Sequence, residues 1–243
     1  MDRILVVSYG LVAYLIFLIT FLYSIGFVGN IIVPKSIDSG SSGSVINAFL
    51  INLILLSIFA IQHSVMARPA FKRWWTKIIP AAIERSTYVF LSSLALILLF
   101  WQWQPMTEVV WDVDNPIGRN VMWGIFWLGW IIVLVSTFLI SHFDLFGLRQ
   151  VYLYMKGKEY KHYSFKTPFL YKLVRHPTML GFIIAFWATP HMTIGHALFS
   201  IVTTLYILIA LQFEERDLLS YHGAAYKEYQ DEVSMIVPFP KRK

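Results

Sequence analysis

The chain has 243 residues, 57% of them hydrophobic and only 14% charged, with a mean hydropathy of +0.61. That balance excludes an ordinary soluble globular domain, and the absence of cysteine excludes disulfides, thiolate nucleophiles and cysteine-ligated metals. A net charge of +6 would suit nucleic acid, but the placement of the charges argues for a membrane instead.

Charged residues thin out over residues 4–33, 45–66, 87–105 and 121–141, and each run can cross a hydrocarbon core that takes about 20 apolar residues. The first run is too long for a cleaved signal peptide. Residues 39–44, Ser-Gly-Ser-Ser-Gly-Ser, read as a flexible connection. Taking the four runs as crossings leaves all the Lys and Arg residues but Lys35 and Arg119 on one side. Positive loops stay in the cytoplasm, so the N-terminus, residues 68–85, residues 149–175 and the tail are expected there. Cationic loops facing anionic headgroups account for the charge, with no nucleic-acid partner. Trp74, Trp75, Trp101, Trp103, Trp111 and Trp123 fall near the expected helix ends, where indole rings anchor at the interface.

The apolar stretch 178–213 would be about 54 Å long as one helix, nearly twice the hydrocarbon thickness. Thr189-Pro190-His191 interrupts it, so two short helices joined by a turn fit better. The expected fold is an all-α polytopic membrane protein with four transmembrane helices and a C-terminal helical hairpin, both termini cytoplasmic. The expectation is one domain over 1–243, with a four-helix part at 1–145 and a cytoplasm-facing cofactor part at 146–243. The hairpin would bring Arg175-His176-Pro177 and Glu214-Glu215 to one face of the membrane. Carboxylates are costly in lipid, so Glu214 and Glu215 should lie at the interface or face a protein cavity.

Histidines supply the other chemistry. His63 and His142 stand at the cytoplasmic ends of the second and fourth runs, and His176 completes a set at one membrane level. His162 and His222 fall in hydrophilic segments, and His191 and His196 at the hairpin turn suit a structural role. Glu84-Arg85 could be a local ion pair or part of the polar site. No HExxH or similar pairing occurs, and no metal site is predicted. No phosphate-binding glycine loop occurs either.

Leu173-Val174-Arg175-His176-Pro177, Gly181, Glu214-Glu215, Leu218, Tyr226, Tyr229 and Val237-Pro238-Phe239-Pro240 resemble the C-terminal signature of the isoprenylcysteine carboxyl methyltransferase superfamily. Met179 departs from it, standing where tyrosine is usual. Gln62-His63-Ser64, residues 84–88 and residues 136–147 are similar to the bacterial methanethiol S-methyltransferases, relatives of the NnrU-type membrane proteins. The resemblance implies methyl transfer from S-adenosylmethionine to methanethiol, giving dimethyl sulfide, at a cytoplasm-facing site in a bacterial inner membrane. It makes Arg175, His176, Pro177, Glu214, Glu215 and Tyr229 the cofactor-binding residues. Arg175 could grip a carboxylate, Glu214 or Glu215 could accept from amine or hydroxyls, and His176 and Tyr229 could contact adenosine. A thiol acceptor is mostly protonated at neutral pH, so a base is needed. His142 backed by Asp144 is one candidate, and His63 is the other. Other acceptors, an isoprenylcysteine carboxylate or a lipid among them, and a non-catalytic membrane role are the alternative readings.

Overall fold

The computed structural model describes residues 2–41, 43–161 and 163–238. Its helices include five that are long and apolar enough to cross a membrane: α1 (Arg3–Gly29), α2 (Val45–Ala67), α4 (Ala81–Gln102), α5 (Pro116–Ile140) and α9 (Ile194–His222). The protein is therefore an all-α polytopic membrane protein. Shorter helices are α3 (Pro69–Trp75), α6 (His142–Leu145), α7 (Leu148–Met155), α8 (Pro177–Trp187) and α10 (Ala224–Glu232). A two-stranded antiparallel ribbon pairs β1 (Val109–Asp112) with β2 (His191–Thr193).

The chain forms two compact units, one of residues 1–107 with 141–162, the other of 108–140 with 163–243. The segment after α5 packs with the first three crossings, so the units interleave along the sequence, where the sequence suggested a division at 145.

In the first unit α1 and α4 run parallel. The Tyr9 hydroxyl donates to Thr87 Oγ1 at 3.0 Å, and Tyr23 stacks on Phe100 with ring centroids 5.4 Å apart. Helix α4 begins six residues before the expected run and takes in both Glu84, in its first turn, and Arg85. Asn52 lies within α2 and is fully buried, a costly place for an amide. Backbone groups of Gln104 satisfy both of its ends: Asn52 Nδ2 donates to the carbonyl at 2.7 Å, and the amide N–H donates to Asn52 Oδ1 at 2.9 Å. Trp103 is no interfacial anchor. It is fully buried against Phe27 and donates to the Ile37 carbonyl at 3.0 Å. That contact and the Ser36–Ser39 side-chain bond of 2.6 Å tie down the segment just ahead of the Ser/Gly run.

Helix α7 lies antiparallel along the first half of α1. Arg3 donates to the Met155 carbonyl, Gly10 meets Val151, and Tyr14 meets His142. Passing from residue 3 to residue 14 of α1 covers about 16 Å at 1.5 Å per residue. His142 follows directly on the end of α5, where the apolar runs placed it, and meets α1 at Tyr14, about 16 Å along that helix from Arg3. A Cβ on Gly10 would fall 2.7 Å from Val151 Cγ2, so glycine permits this approach.

In the second unit α8 packs on α5 through glycine. A Cβ on Gly181 would lie 2.7 Å from the Gly129 carbonyl oxygen, and one on Gly129 would lie 2.7 Å from the Ala185 nitrogen. Close backbone approach of this kind is how small residues pack apolar helices in lipid. Trp130 flanks the contact edge-on to Phe182 and Phe186. The expected break at residues 189–191 is present, and β2 fills it. The two arms are unequal, however: α8 has 11 residues and α9 has 29. Thr193 caps α9 by accepting from the His196 N–H at 3.1 Å, and the His196 ring and Ser200 hydroxyl both bond the Phe186 carbonyl near the end of α8. These bonds keep the arms together where proline has broken the helix. Met179, the departure from the superfamily pattern, packs against the Ile207, Leu211 and Ile236 cluster. A thioether is flexible enough to fill such a place.

Candidate functional site

The second unit holds every candidate cofactor-binding residue. Pro177 opens α8 at its first position, where its missing N–H costs nothing, so Arg175 and His176 lie just before a helix start. Their backbone amides donate to the Ser234 and Met235 carbonyls at 2.9 and 3.1 Å, joining this stretch to the segment after α10.

Glu215, buried on α9, is the hub. Arg175 grips it with both arms of the guanidinium, Nε to Oε1 and Nη2 to Oε2, each at 2.8 Å. His176 Nε2 lies 2.7 Å from Oε1, the Tyr226 hydroxyl donates to Oε1 at 2.9 Å, and Gln230 donates to Oε2. The third arm of Arg175 bonds the Val233 and Gln230 carbonyls. A buried carboxylate needs this density of donors, since an unpaired charge out of water is strongly penalised. Burial, reinforced by the Glu215 charge, pushes the Tyr226 phenol well above its ordinary pKa and keeps it a donor.

Arg175, which could grip a ligand carboxylate, has its fork on Glu215 in this structure. Tyr229 donates its hydroxyl to the Tyr171 carbonyl and buries its ring against Phe165 and Tyr226, where it braces the fold. Glu214 differs from its neighbour. Its side chain is 46% exposed, it makes no hydrogen bond among the described residues, and its Oε2 lies 4.0 Å from His176 Nδ1. Sequence reasoning missed Tyr226 and Gln230 as partners of Glu215. The signal available was Tyr226's place in the family signature. Phe239 and Pro240 of that signature, like His162, lie outside the described residues.

The candidate bases belong to the first unit. His142 is buried, and its Nε2 lies 2.9 Å from the Tyr14 hydroxyl. Phe143, Phe146 and Tyr14 surround the ring, and Phe146 stacks on Phe17 at 3.9 Å. Burial lowers the His142 pKa and favours neutral imidazole. Asp144 does not back it. The carboxylate pairs with Arg149 at 2.9 Å and accepts from Tyr160 at 3.2 Å and Gln150 at 3.4 Å. Two residues apart, the side chains point to different sides of the α6 turn. Burial and the Asp144 charge push the Tyr160 phenol up to about 12. Glu84 and Arg85 form no ion pair among the described residues; Arg85 donates to the Leu145 carbonyl at 2.8 Å and so holds the α6 turn.

His63 has hydroxyls at both ring nitrogens, Tyr88 at 2.7 Å from Nε2 and Ser92 at 3.1 Å from Nδ1. Five residues beyond the Tyr9–Thr87 bond, parallel α1 and α4 reach Tyr14 and Ser92. His63 and His142 therefore stand at one level, inside an aromatic lining that includes Phe59, Tyr88, Phe17 and Phe146. Among the described residues no three His, Asp or Glu side chains converge as a metal-binding group.

The model of the NnrU protein family matches residues 51–235. The chain belongs to the NnrU family. Among curated relatives, the methanethiol S-methyltransferase of Mycobacterium tuberculosis is 57% identical over 242 residues, covering 100% of this chain and 99% of its own length. Methanethiol S-methyltransferase 2 of Bradyrhizobium diazoefficiens is 56% identical, covering 99% of this chain and 93% of its own length. Mouse Nurim, at 28% identity, covers 72% of this chain and 70% of its own length. No solved structure matches.

Proposed function

We propose that this NnrU-family protein is an S-adenosylmethionine-dependent thiol methyltransferase that converts methanethiol to dimethyl sulfide. The observation that carries the reading is end-to-end identity above one half with proteins of that name. The asymmetric distribution of Lys and Arg supports cytoplasmic termini and a cytoplasm-facing cofactor site in a bacterial inner membrane.

The donor set suits such a cofactor in part. Glu214, half-exposed and without a hydrogen-bond partner among the described residues, is an acceptor for the ammonium of the methionine end or for ribose hydroxyls. His176 stands beside it as a hydrogen-bonding ring. Arg175 and Glu215 hold His176 and the backbone at residues 175–177 in place. When bound, S-adenosylmethionine supplies a methyl group activated by its sulfonium. The chain's part is to bind, to orient, to exclude water and to take the thiol proton. Burial keeps His142 neutral and able to accept that proton, and the aromatic lining excludes water that would stabilise charged reactants over a less polar transition state. The hydroxyls on both nitrogens of His63 fit a supporting role better than the base.

Purified protein given S-adenosylmethionine and methanethiol should release dimethyl sulfide into the headspace, read by gas chromatography. Absence of product with cofactor bound would overturn the acceptor and favour another methyl acceptor. Glu214→Gln should weaken cofactor affinity about tenfold or more by calorimetry, the loss expected for one charge-assisted hydrogen bond; unchanged affinity would remove Glu214 from the site. Because protonation disables an imidazole base and burial makes protonation harder, the acidic limb of kcat/KM should fall below the ordinary histidine value of about 6.5. A limb above that value would point away from His142.

A further inference from the structure

Tyr14 is absent from every motif that drew attention to this chain, yet its hydroxyl faces the candidate base. The direction of that hydrogen bond can be derived. Tyr14 lies on α1, partly buried, and its hydroxyl has no other hydrogen-bond partner among the described residues. If His142 donated from Nε2, the phenol proton would be left without an acceptor in an aromatic enclosure. Donation from Tyr14 to Nε2 satisfies both groups. The neutral ring then carries its own proton on Nδ1, and its basic lone pair points at the Tyr14 oxygen.

A proton bound for His142 Nε2 must therefore come by way of that oxygen. We propose that Tyr14 is the proton relay of the methyl-acceptor site, passing the thiol proton to His142. This rests on the thiol methyltransferase reading above. The S–H bond breaks and its proton goes to the Tyr14 oxygen. The original phenol proton moves to Nε2, leaving imidazolium. The thiolate attacks the methyl carbon of the sulfonium donor, whose S–CH3 bond breaks to leave a neutral thioether. Tyr14 is neutral before and after, so no phenolate has to persist in the apolar enclosure.

The surroundings suit this path. Tyr14, Phe17, Phe143 and Phe146 offer a small alkyl thiol apolar contact beside the hydroxyl. The neighbouring charges are committed elsewhere: Asp144 to Arg149 and Tyr160, and Arg85 to the Leu145 carbonyl. On the facing helices His63 is bonded by Tyr88 and Ser92.

The test is a pH series on full-length protein in nanodiscs, with methanethiol and S-adenosylmethionine, read as dimethyl sulfide. Tyr14→Phe should lower kcat about 100-fold at pH 7, the lower end of what proton transfer contributes, with cofactor affinity unchanged. The deficit should shrink as pH rises and the thiol ionises unaided. Tyr9→Phe removes another hydroxyl from the same helix, the one bonded to Thr87, and should keep the wild-type profile. A Tyr14→Phe deficit that is absent, or equal at every pH, overturns the relay while the thiol methyltransferase reading stands. A wild-type protein that makes no dimethyl sulfide overturns that reading and the relay with it. Should Tyr14→Phe fail to fold, 3,5-difluorotyrosine at position 14, a more acidic phenol, should shift the pH dependence of kcat. An unmoved profile there also overturns the relay.

Discussion

Glu215→Ala should destabilise the protein by about 3–5 kcal/mol, the cost of leaving a buried guanidinium without its partner. Arg175 is buried, two of its arms bond the carboxylate, and His176, Tyr226 and Gln230 converge on the same two oxygens. Removing Glu215 strands four side chains at once, so loss of activity should accompany loss of structure. The control is the pair. Arg175→Met with Glu215→Leu removes both charges and should be less destabilised than Glu215→Ala alone, because no charge is left unpaired. Thermal unfolding in detergent, with and without S-adenosylmethionine, reads both variants. Equal or additive losses would show that the charges do not act as a pair.

Gly181→Ala should be nearly as damaging, at about 3 kcal/mol, the upper end of the usual cost of overpacking. The added methyl would lie 2.7 Å from the Gly129 carbonyl oxygen and 2.9 Å from the Val133 nitrogen, both backbone atoms that cannot rotate away. Helix α8 would have to move off α5, carrying with it the His176-Pro177 start. The same substitution at Gly124, whose Cβ would meet nothing within 4 Å, should be tolerated. A lower unfolding temperature for Gly181→Ala, unchanged for Gly124→Ala, is the expected pattern. Equal temperatures would mean that the helix contact is looser than these distances imply.

How much of this could be read beforehand differs by element. The crossings at α1, α2, α4 and α5 were legible, α4 with the largest offset of six residues at its start, because lipid imposes one dominant requirement, a long uncharged run. The break after Trp187 was legible from Pro190. The length of α9 was not, because Glu214, Glu215, Arg216 and Asp217 end the apolar pattern while the helix itself continues to His222. At the site, Arg175, His176 and Glu215 were found as a set from their bracketing of an apolar stretch and from the family signature. Their roles were not: sequence shows which charges are present but not which are already spent on one another. Glu214 and Glu215 are adjacent and chemically identical, and only burial separates a saturated carboxylate from an available one. Tyr14 left no trace, since a tyrosine in an apolar run reads as ordinary lipid-facing or packing residue. The partner that gives it meaning lies 128 positions away.

The interleaving of the two units bears on how the protein comes into being. A ribosome that has released residues 1–107 has delivered the three crossings of the first unit without the segment that brings His142 to Tyr14. That segment emerges only after α5, a helix belonging to the other unit. The newborn N-terminal helices must therefore wait in the bilayer with one flank open, and the candidate base joins them only after α5 has been made.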